Sequence, residues 1–97
     1  MNINTKPRFN TNLLEKPEPD YEPHYAVILW NDDTHEQVEV VRILIAIMKW
    51  SANQATDKMM EAHTKGRTLL IVTHQERAEL IAEQLMSFSL TATIEKQ

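Results

Sequence analysis

Five polar side chains are the candidates for chemistry in this chain: Asn31, Asp32, Asp33, His35 and His63. The first three follow directly on an unbroken apolar run, residues 25–30, which reads Tyr-Ala-Val-Ile-Leu-Trp. One amide and two carboxylates at the mouth of such a run concentrate hydrogen-bond acceptors and negative charge. A ligand with positive charge and several N–H donors suits that place. A plain turn is the competing reading, because Asn and Asp bond their own backbone and tolerate the left-handed region. His63 also reads as a helix-end histidine near the C-terminal dipole, and His35 as the neighbour of a helix N-cap. A divalent metal held by Asp32, Asp33, His35 and His63, serving a metal-dependent enzyme, is a further alternative, although the spacing follows no ligand motif of the His-Glu-x-x-His kind. No nucleophile elbow, glycine-rich phosphate loop or paired-carboxylate motif occurs in the sequence.

These side chains need elements to position them. β-Branched and aromatic content makes residues 24–30 a strand, and residues 31–35 are the loop that leaves it. Residues 36–50 read as a helix, with Val40, Leu44 and Ile47 at i, i+4 and i+7 and Val41, Ile45 and Met48 beside them. Apolar on more than one side, it is expected to be the most buried helix. Ser51 and Gln54 make a capping-box pattern that opens a second helix over residues 52–65. Gly66, the only glycine, stands where the end of that helix asks for positive φ. On this helix Ala55, Met59, Ala62 and His63 share a face.

Residues 67–72 form a second strand. Thr73 and Glu76 repeat the capping-box pattern and open a third helix over residues 74–88, with Ala78, Ile81, Ala82, Leu85 and Met86 turned inward. Residues 90–96 alternate Leu90, Ala92 and Ile94 against Thr91, Thr93 and Glu95, the pattern of a half-buried strand. The order β-α-α-β-α-β predicts an α+β domain, a three-stranded antiparallel sheet with three helices on one face. Residues 1–23 carry all four prolines, Pro7, Pro17, Pro19 and Pro23, and lack periodicity, so a flexible N-terminal tail is expected ahead of a core domain over 24–97.

Composition bounds the rest. With 97 residues, 42% of them hydrophobic, the chain makes one domain with a modest core. A formal net charge of -4 argues against a nucleic-acid partner, which calls for a basic face. Cysteine is absent, so neither a disulfide framework nor a thiolate metal site exists. No apolar stretch approaches the ~20 residues that span a bilayer, and the N-terminus lacks the apolar core of a signal peptide. A soluble cytoplasmic protein without cofactor, membrane or nucleic acid is expected.

The run Tyr-Ala-Val-Ile-Leu-Trp-Asn-Asp-Asp at residues 25–33, Met59-Met60-Glu61-Ala62-His63 followed by Gly66, and the closing Ala92-Thr93-Ile94-Glu95-Lys96 resemble the ClpS family, the adaptors of the ATP-dependent Clp protease. The resemblance covers residues 24–96. It implies a protein that catalyses nothing, binds other proteins by an N-terminal Leu, Phe, Tyr or Trp, and hands them to a Clp unfoldase, ClpA or ClpC. A free α-amino group, with a pKa of about 7.7–8.0, is mostly an ammonium near neutral pH, and converging acceptors are a recurring way to capture it. The family positions for this task fall on Asn31, Asp32 and His63. Asp32 supplies a carboxylate, Asn31 its side-chain oxygen, and neutral His63 a nitrogen acceptor, while Asp33 shapes the loop. Protonating His63 would repel the ligand, so binding is expected to weaken as pH falls from about 7.5 to about 5.5.

The family's hydrophobic pocket falls on His35, Gln37, Val40, Met59, Ala62 and Thr91. Spacing alone reads Val40 and Met59 equally well as core. Three of these positions depart from the family: Gln37 stands where a Met or other bulky apolar residue is usual, Ala62 where a larger aliphatic is common, and Thr91 where some relatives have Leu. Together they imply a wider, more polar pocket with an altered preference, the alternative being a divergent Clp-binding regulatory domain whose pocket is altered or lost. Glu76 matches an acidic position that docks on the unfoldase's N-terminal domain, and as part of a capping box it equally needs no partner. The tail corresponds to an arm that helps delivery. A monomer is expected.

Overall fold

The first strand is the middle of everything that follows. In the computed structural model, which describes residues 22–97, β1 (His24–Trp30) is flanked by β2 (Arg67–His74) and β3 (Ala92–Lys96) in the order β2-β1-β3, both pairs antiparallel. The tail expected over residues 1–23 lies, as far as residue 21, outside the described residues. Three helices complete the expected order: α1 (Gln37–Met48), α2 (Ala52–Lys65) and α3 (Gln75–Ser87). The central place of β1 follows from its composition. Ala26, Val27, Ile28 and Leu29 are all buried, so both faces of the strand are covered, which a strand at a sheet edge does not achieve.

Register sorts the two faces. Val27 pairs with Ile71 and Ile94, and Leu29 with Thr68 and Ala92, so these residues share the face that the helices cover. There they join Val40, Ile43 and Leu44 of α1, Ala55, Met59 and Ala62 of α2, and Ala78, Ile81, Ala82 and Leu85 of α3. Ala26 and Ile28 look the other way, beside the exposed Leu69 and Val72. Pairing jumps from Val27–Ile71 to Ile28–Leu69, which leaves Leu70 as an extra residue, a β-bulge. The bulge lets both Leu70 and Ile71 join the core, and it explains why this run does not alternate in sequence.

Element ends differ from the sequence reading where tertiary pairing decides them. The first helix stops at Met48, not at residue 50, because Lys49 turns left-handed (φ 62°) and its N–H returns to the Ile45 carbonyl. Trp50 is thereby freed to pack against the core. The second strand runs on to His74, because β1 offers it pairs as far as His24–His74. Thr73 is therefore part of the ladder and caps nothing. His74 is the N-cap of α3, without a side-chain cap, and Glu76 lies in the first turn of the helix. The third strand starts at Ala92, after Ser89 takes a left-handed turn (φ 67°) and the Leu90 N–H returns to the Leu85 carbonyl. The Ser51 cap forms as expected, its hydroxyl accepting from the Gln54 N–H at 3.1 Å.

Gly66 closes α2 at φ 93°, its N–H bonded to the Ala62 carbonyl. A methyl group there would meet no atom within 4 Å, so the constraint on this position is the backbone angle alone. Gly66→Ala is expected to lower stability by about 1–2 kcal/mol, the penalty of the left-handed region for an L side chain. Urea denaturation measures it, and an unchanged midpoint would show that the turn relaxes to negative φ.

Candidate functional site

The loop that leaves β1 is held at its root by two backbone hydrogen bonds. Trp30 N–H donates to the Thr91 carbonyl at 3.0 Å, and Asn31 N–H to the Gly66 carbonyl at 2.9 Å. The second bond draws the C-terminal end of α2, and with it His63, to the start of the loop. Between this loop, α1 and α2 lies a shallow cleft open to solvent. Its mouth carries Asn31, Asp32, His35 and His63, and its apolar wall Leu29, Val40, Met59, Ala62 and Leu90, with Trp30 and Gln37 completing it.

Side chains in the loop are ordered by one another. Asn31 Nδ2 donates to Asp33 Oδ1 at 3.3 Å. A carboxylate only accepts, so Asp33 fixes which way the amide faces and leaves the Asn31 side-chain oxygen for other donors. Asp32 Oδ1 accepts from the Thr34 N–H at 2.7 Å and from the Thr34 hydroxyl at 2.6 Å. Asp32 Oδ2 pairs with His35 Nδ1, and His35 Nε2 donates to the Phe88 carbonyl at 2.9 Å. A carboxylate has about four lone-pair positions, so one on Oδ2 remains open. His63 is exposed, and its ring has no hydrogen-bond partner among the described residues.

Charge states follow from these contacts. The Thr34 hydroxyl, then the Thr34 N–H and His35, hold the Asp32 carboxyl below its ordinary value against the opposing effect of burial. Burial pushes the His35 ring down, but its hydrogen bonds to Asp32 and the Phe88 carbonyl, with the charges of Asp32 and Glu39, together raise it above the ordinary imidazole value. The Asp32 carboxylate and the Phe88 carbonyl are acceptors, and the Thr34 hydroxyl oxygen lies 3.3 Å from Nδ1, so the geometry favours a ring with hydrogen on both nitrogens facing a carboxylate. The His35 and Asp32 side chains are only 12% and 10% exposed, which limits screening by solvent.

The structure thus gathers into one cleft Asn31, Asp32, His63, His35, Gln37, Val40, Met59 and Ala62. Thr91 is not among the lining residues. Leu90 lines the cleft instead, because the turn at Ser89 sends Leu90 inward and Thr91 lies exposed beside it. Leu90 read as a strand position in the sequence, and only the turn before it reveals its place. Leu29 was hidden likewise in the apolar run. Glu76 is exposed on α3 beside Arg77, Glu79, Leu80 and Glu83. The metal alternative is not favoured: Asp33 is turned to the Asn31 amide, Asp32 to Thr34 and His35, and among the described residues no three His, Cys, Asp or Glu groups are arranged to hold an ion. Among the same residues no helix is long and apolar enough to cross a membrane.

Comparison with known proteins agrees with this architecture. The family model described as ATP-dependent Clp protease adaptor protein ClpS matches residues 20–93. The chain is 40% identical over 87 residues to the ATP-dependent Clp protease adapter protein ClpS of Synechococcus elongatus, covering 84% of this chain and 92% of the relative. It is 38% identical over 74 residues to the ClpS of Xanthomonas oryzae pv. oryzae, covering 76% of this chain and 70% of that one. Among solved structures, Agrobacterium tumefaciens ClpS2 bound to L-phenylalaninamide superposes with a TM-score of 0.75 at 27% identity, over 77% of this chain and 98% of the other. The chain belongs to the ClpS family of Clp protease adaptors.

The Asp32–His35 pair makes stability depend on pH, with signs that follow from the two directions of shift. The His35 contribution is complete below the ordinary imidazole value of 6.5 and is lost as pH rises through the ring's raised value. The Asp32 contribution is complete above the ordinary 3.8 and is lost as pH falls through the lowered value. The stability gap between the natural chain and His35→Ala is therefore expected to be widest from about pH 4 to about pH 6.5 and to narrow above that range. Urea denaturation in steps of pH measures it, and a gap constant to pH 9 would mean that the pair is not ionic.

Proposed function

We propose that this chain is a non-catalytic adaptor that grips the free N-terminal residue of another protein when that residue is large and hydrophobic, and delivers the protein to a Clp unfoldase in the cytoplasm. The observation that carries the reading is the cleft itself, in which an acceptor-rich mouth opens onto an apolar interior. An α-ammonium offers three donors. The Asn31 side-chain oxygen, the open position on Asp32 and the His63 ring are the acceptors that would meet them. The first side chain would then lie against Val40, Met59, Ala62 and Leu90. Methionine adapts to ring edges, and burying a Leu or Phe side chain contributes about 1.5–3 kcal/mol. The bound L-phenylalaninamide of the Agrobacterium relative combines the same two features, a free α-amine and an apolar side chain, which supports the reading.

Gln37 at the cleft, Ala62 in its wall and Thr91 outside it leave a wider and more polar space than a pocket with a bulky apolar residue at position 37 would have. A preference for bulky aromatic first residues, with Ile and Val less strictly excluded, follows. ClpA or ClpC would be the receiving unfoldase, its N-terminal domain meeting the acidic surface of α3 around Glu76. The substrates are proteins that begin with Leu, Phe, Tyr or Trp.

Peptides beginning with Phe test the amine site by fluorescence anisotropy. Acetylating the amino group is expected to abolish binding, because it removes the charge and two of the donors. Asp32→Ala, checked for folding by circular dichroism, is expected to weaken binding at least about tenfold, since a hydrogen bond to a charged group contributes ~1.5–3 kcal/mol. Equal binding of the acetylated peptide would refute amine capture. A second series, varying only the first residue, tests the pocket. Phe and Trp are expected to lead, and Gln37→Met to sharpen rejection of Ile and Val. No ranking among Leu, Phe, Trp, Ile and Val would count against a specific pocket.

A further inference from the structure

His35 ties together two walls of the cleft that are far apart in sequence. Its Nδ1 meets the Asp32 carboxylate at the mouth. Its Nε2 donates at 2.9 Å to the Phe88 carbonyl, at the C-cap of α3. Two residues on, Leu90 supplies part of the apolar wall, after the left-handed Ser89. The turn between α3 and β3 has its own local bonds, Phe88 N–H to the Leu85 carbonyl and Ser89 N–H to the Met86 carbonyl, but these tie it only to its own helix. Trp30 N–H to the Thr91 carbonyl ties the backbone after the turn to the root of the loop, and among the described residues the His35 ring adds the side-chain bond from the turn itself to the mouth.

The geometry points to His35 as a positioning residue, whose doubly donating ring sets the Asp32 carboxylate and the Leu90 wall together, so that amine capture and side-chain capture are coupled through one side chain. This inference rests on the amine-binding reading of the cleft. A neutral imidazole keeps a single hydrogen on nitrogen and presents a lone pair at the other position. It can serve the carboxylate or the carbonyl, not both. The other lone pair then faces an oxygen, and one end of the bridge lets go. The titratable groups around the ring are Asp32 and Glu39 from its own loop and helix, and His63 from α2 at the same cleft. The turn after α3 presents the Phe88 carbonyl and apolar Leu90. Glu39 and Asp32 favour the charged ring. His63 stands at the same cleft and must be separated from the bridge in any test.

Two measurements on the full chain do so. The first is NMR without ligand. Both His35 ring nitrogens are expected to be protonated at pH 6.5, the ring to lose its proton above that ordinary value, and the Leu90 methyl signals to shift with the same midpoint. His35→Gln, which keeps a donor but does not titrate, is expected to leave the protein folded and to abolish that shift. The second is the ratio of affinities of the natural chain and His35→Ala for a Phe-starting peptide with a free amine. His63 and the peptide's own amine are common to both proteins and cancel in the ratio. The ratio is expected to be about tenfold at pH ~6.5, the worth of one hydrogen bond to a charged group, and to fall towards one as pH rises to about 8.5. If His35→Ala does not fold, His35→Gln replaces it, with a smaller ratio expected to fall in the same way.

A ring that titrates at or below 6.5, a Leu90 signal indifferent to it, or a ratio flat with pH would overturn the inference while leaving amine capture standing. If no free-amine peptide binds the natural chain at any pH, the reading of the cleft fails. The ring titration and the Leu90 response still decide whether the bridge exists.

Discussion

Where β1 leaves the sheet, its last two backbone donors reach in different directions. Trp30 bonds to the Thr91 carbonyl ahead of β3, and Asn31 to the Gly66 carbonyl at the end of α2. Backbone donors leaving a sheet need acceptors, and these two find them in segments that arrive much later in the chain. The candidate site depends on this small divergence. It fixes the root of the acceptor loop and brings His63 to one side of it. Gly66 is the point on which that arrangement turns, because its left-handed conformation ends α2 and presents the carbonyl in one step. The buried apolar strand behind the loop makes the root rigid, since Val27 and Leu29 are locked into the core on which all three helices pack.

The electrostatics of the mouth are more tempered than two adjacent carboxylates would imply. Asp33 is turned to the Asn31 amide and orients it. Asp32 is engaged by Thr34 and by His35, with one acceptor position left open. The cleft therefore offers a ligand a few directed acceptors rather than a pool of negative charge. Directed acceptors discriminate among donors by geometry, and a partly neutralised carboxylate still favours a cation.

The same residues serve fold and cleft. Leu29, Val40, Met59, Ala62 and Leu90 belong to the core cluster and also line the cleft. In a chain this short the core is too small for a separate binding chamber, and the cleft is the part of the core that the helices leave uncovered. Substitutions that tune the cleft therefore also touch stability. Gln37 is one of the exposed exceptions, at the first position of α1, where side-chain identity is free of packing constraints.

While the central place of β1 in the sheet came from the structure, the sequence by itself determined the number, kind and order of the elements and the identity of the polar loop. Those follow from local properties: β-branched runs, helical spacing, the Ser51 cap and a single glycine at a helix end. It also placed Val40, Met59 and Ala62 on inward faces, since a face is a matter of period. Tertiary structure alone decided how far each strand runs, because His74 is a strand residue only through its pairing with His24. It decided that Leu70 bulges, that Leu90 and not Thr91 lines the cleft, and that His35 reaches across to Phe88. Each of those outcomes requires a partner distant in sequence, and no local pattern of residue types specifies which distant carbonyl or strand a given group will meet.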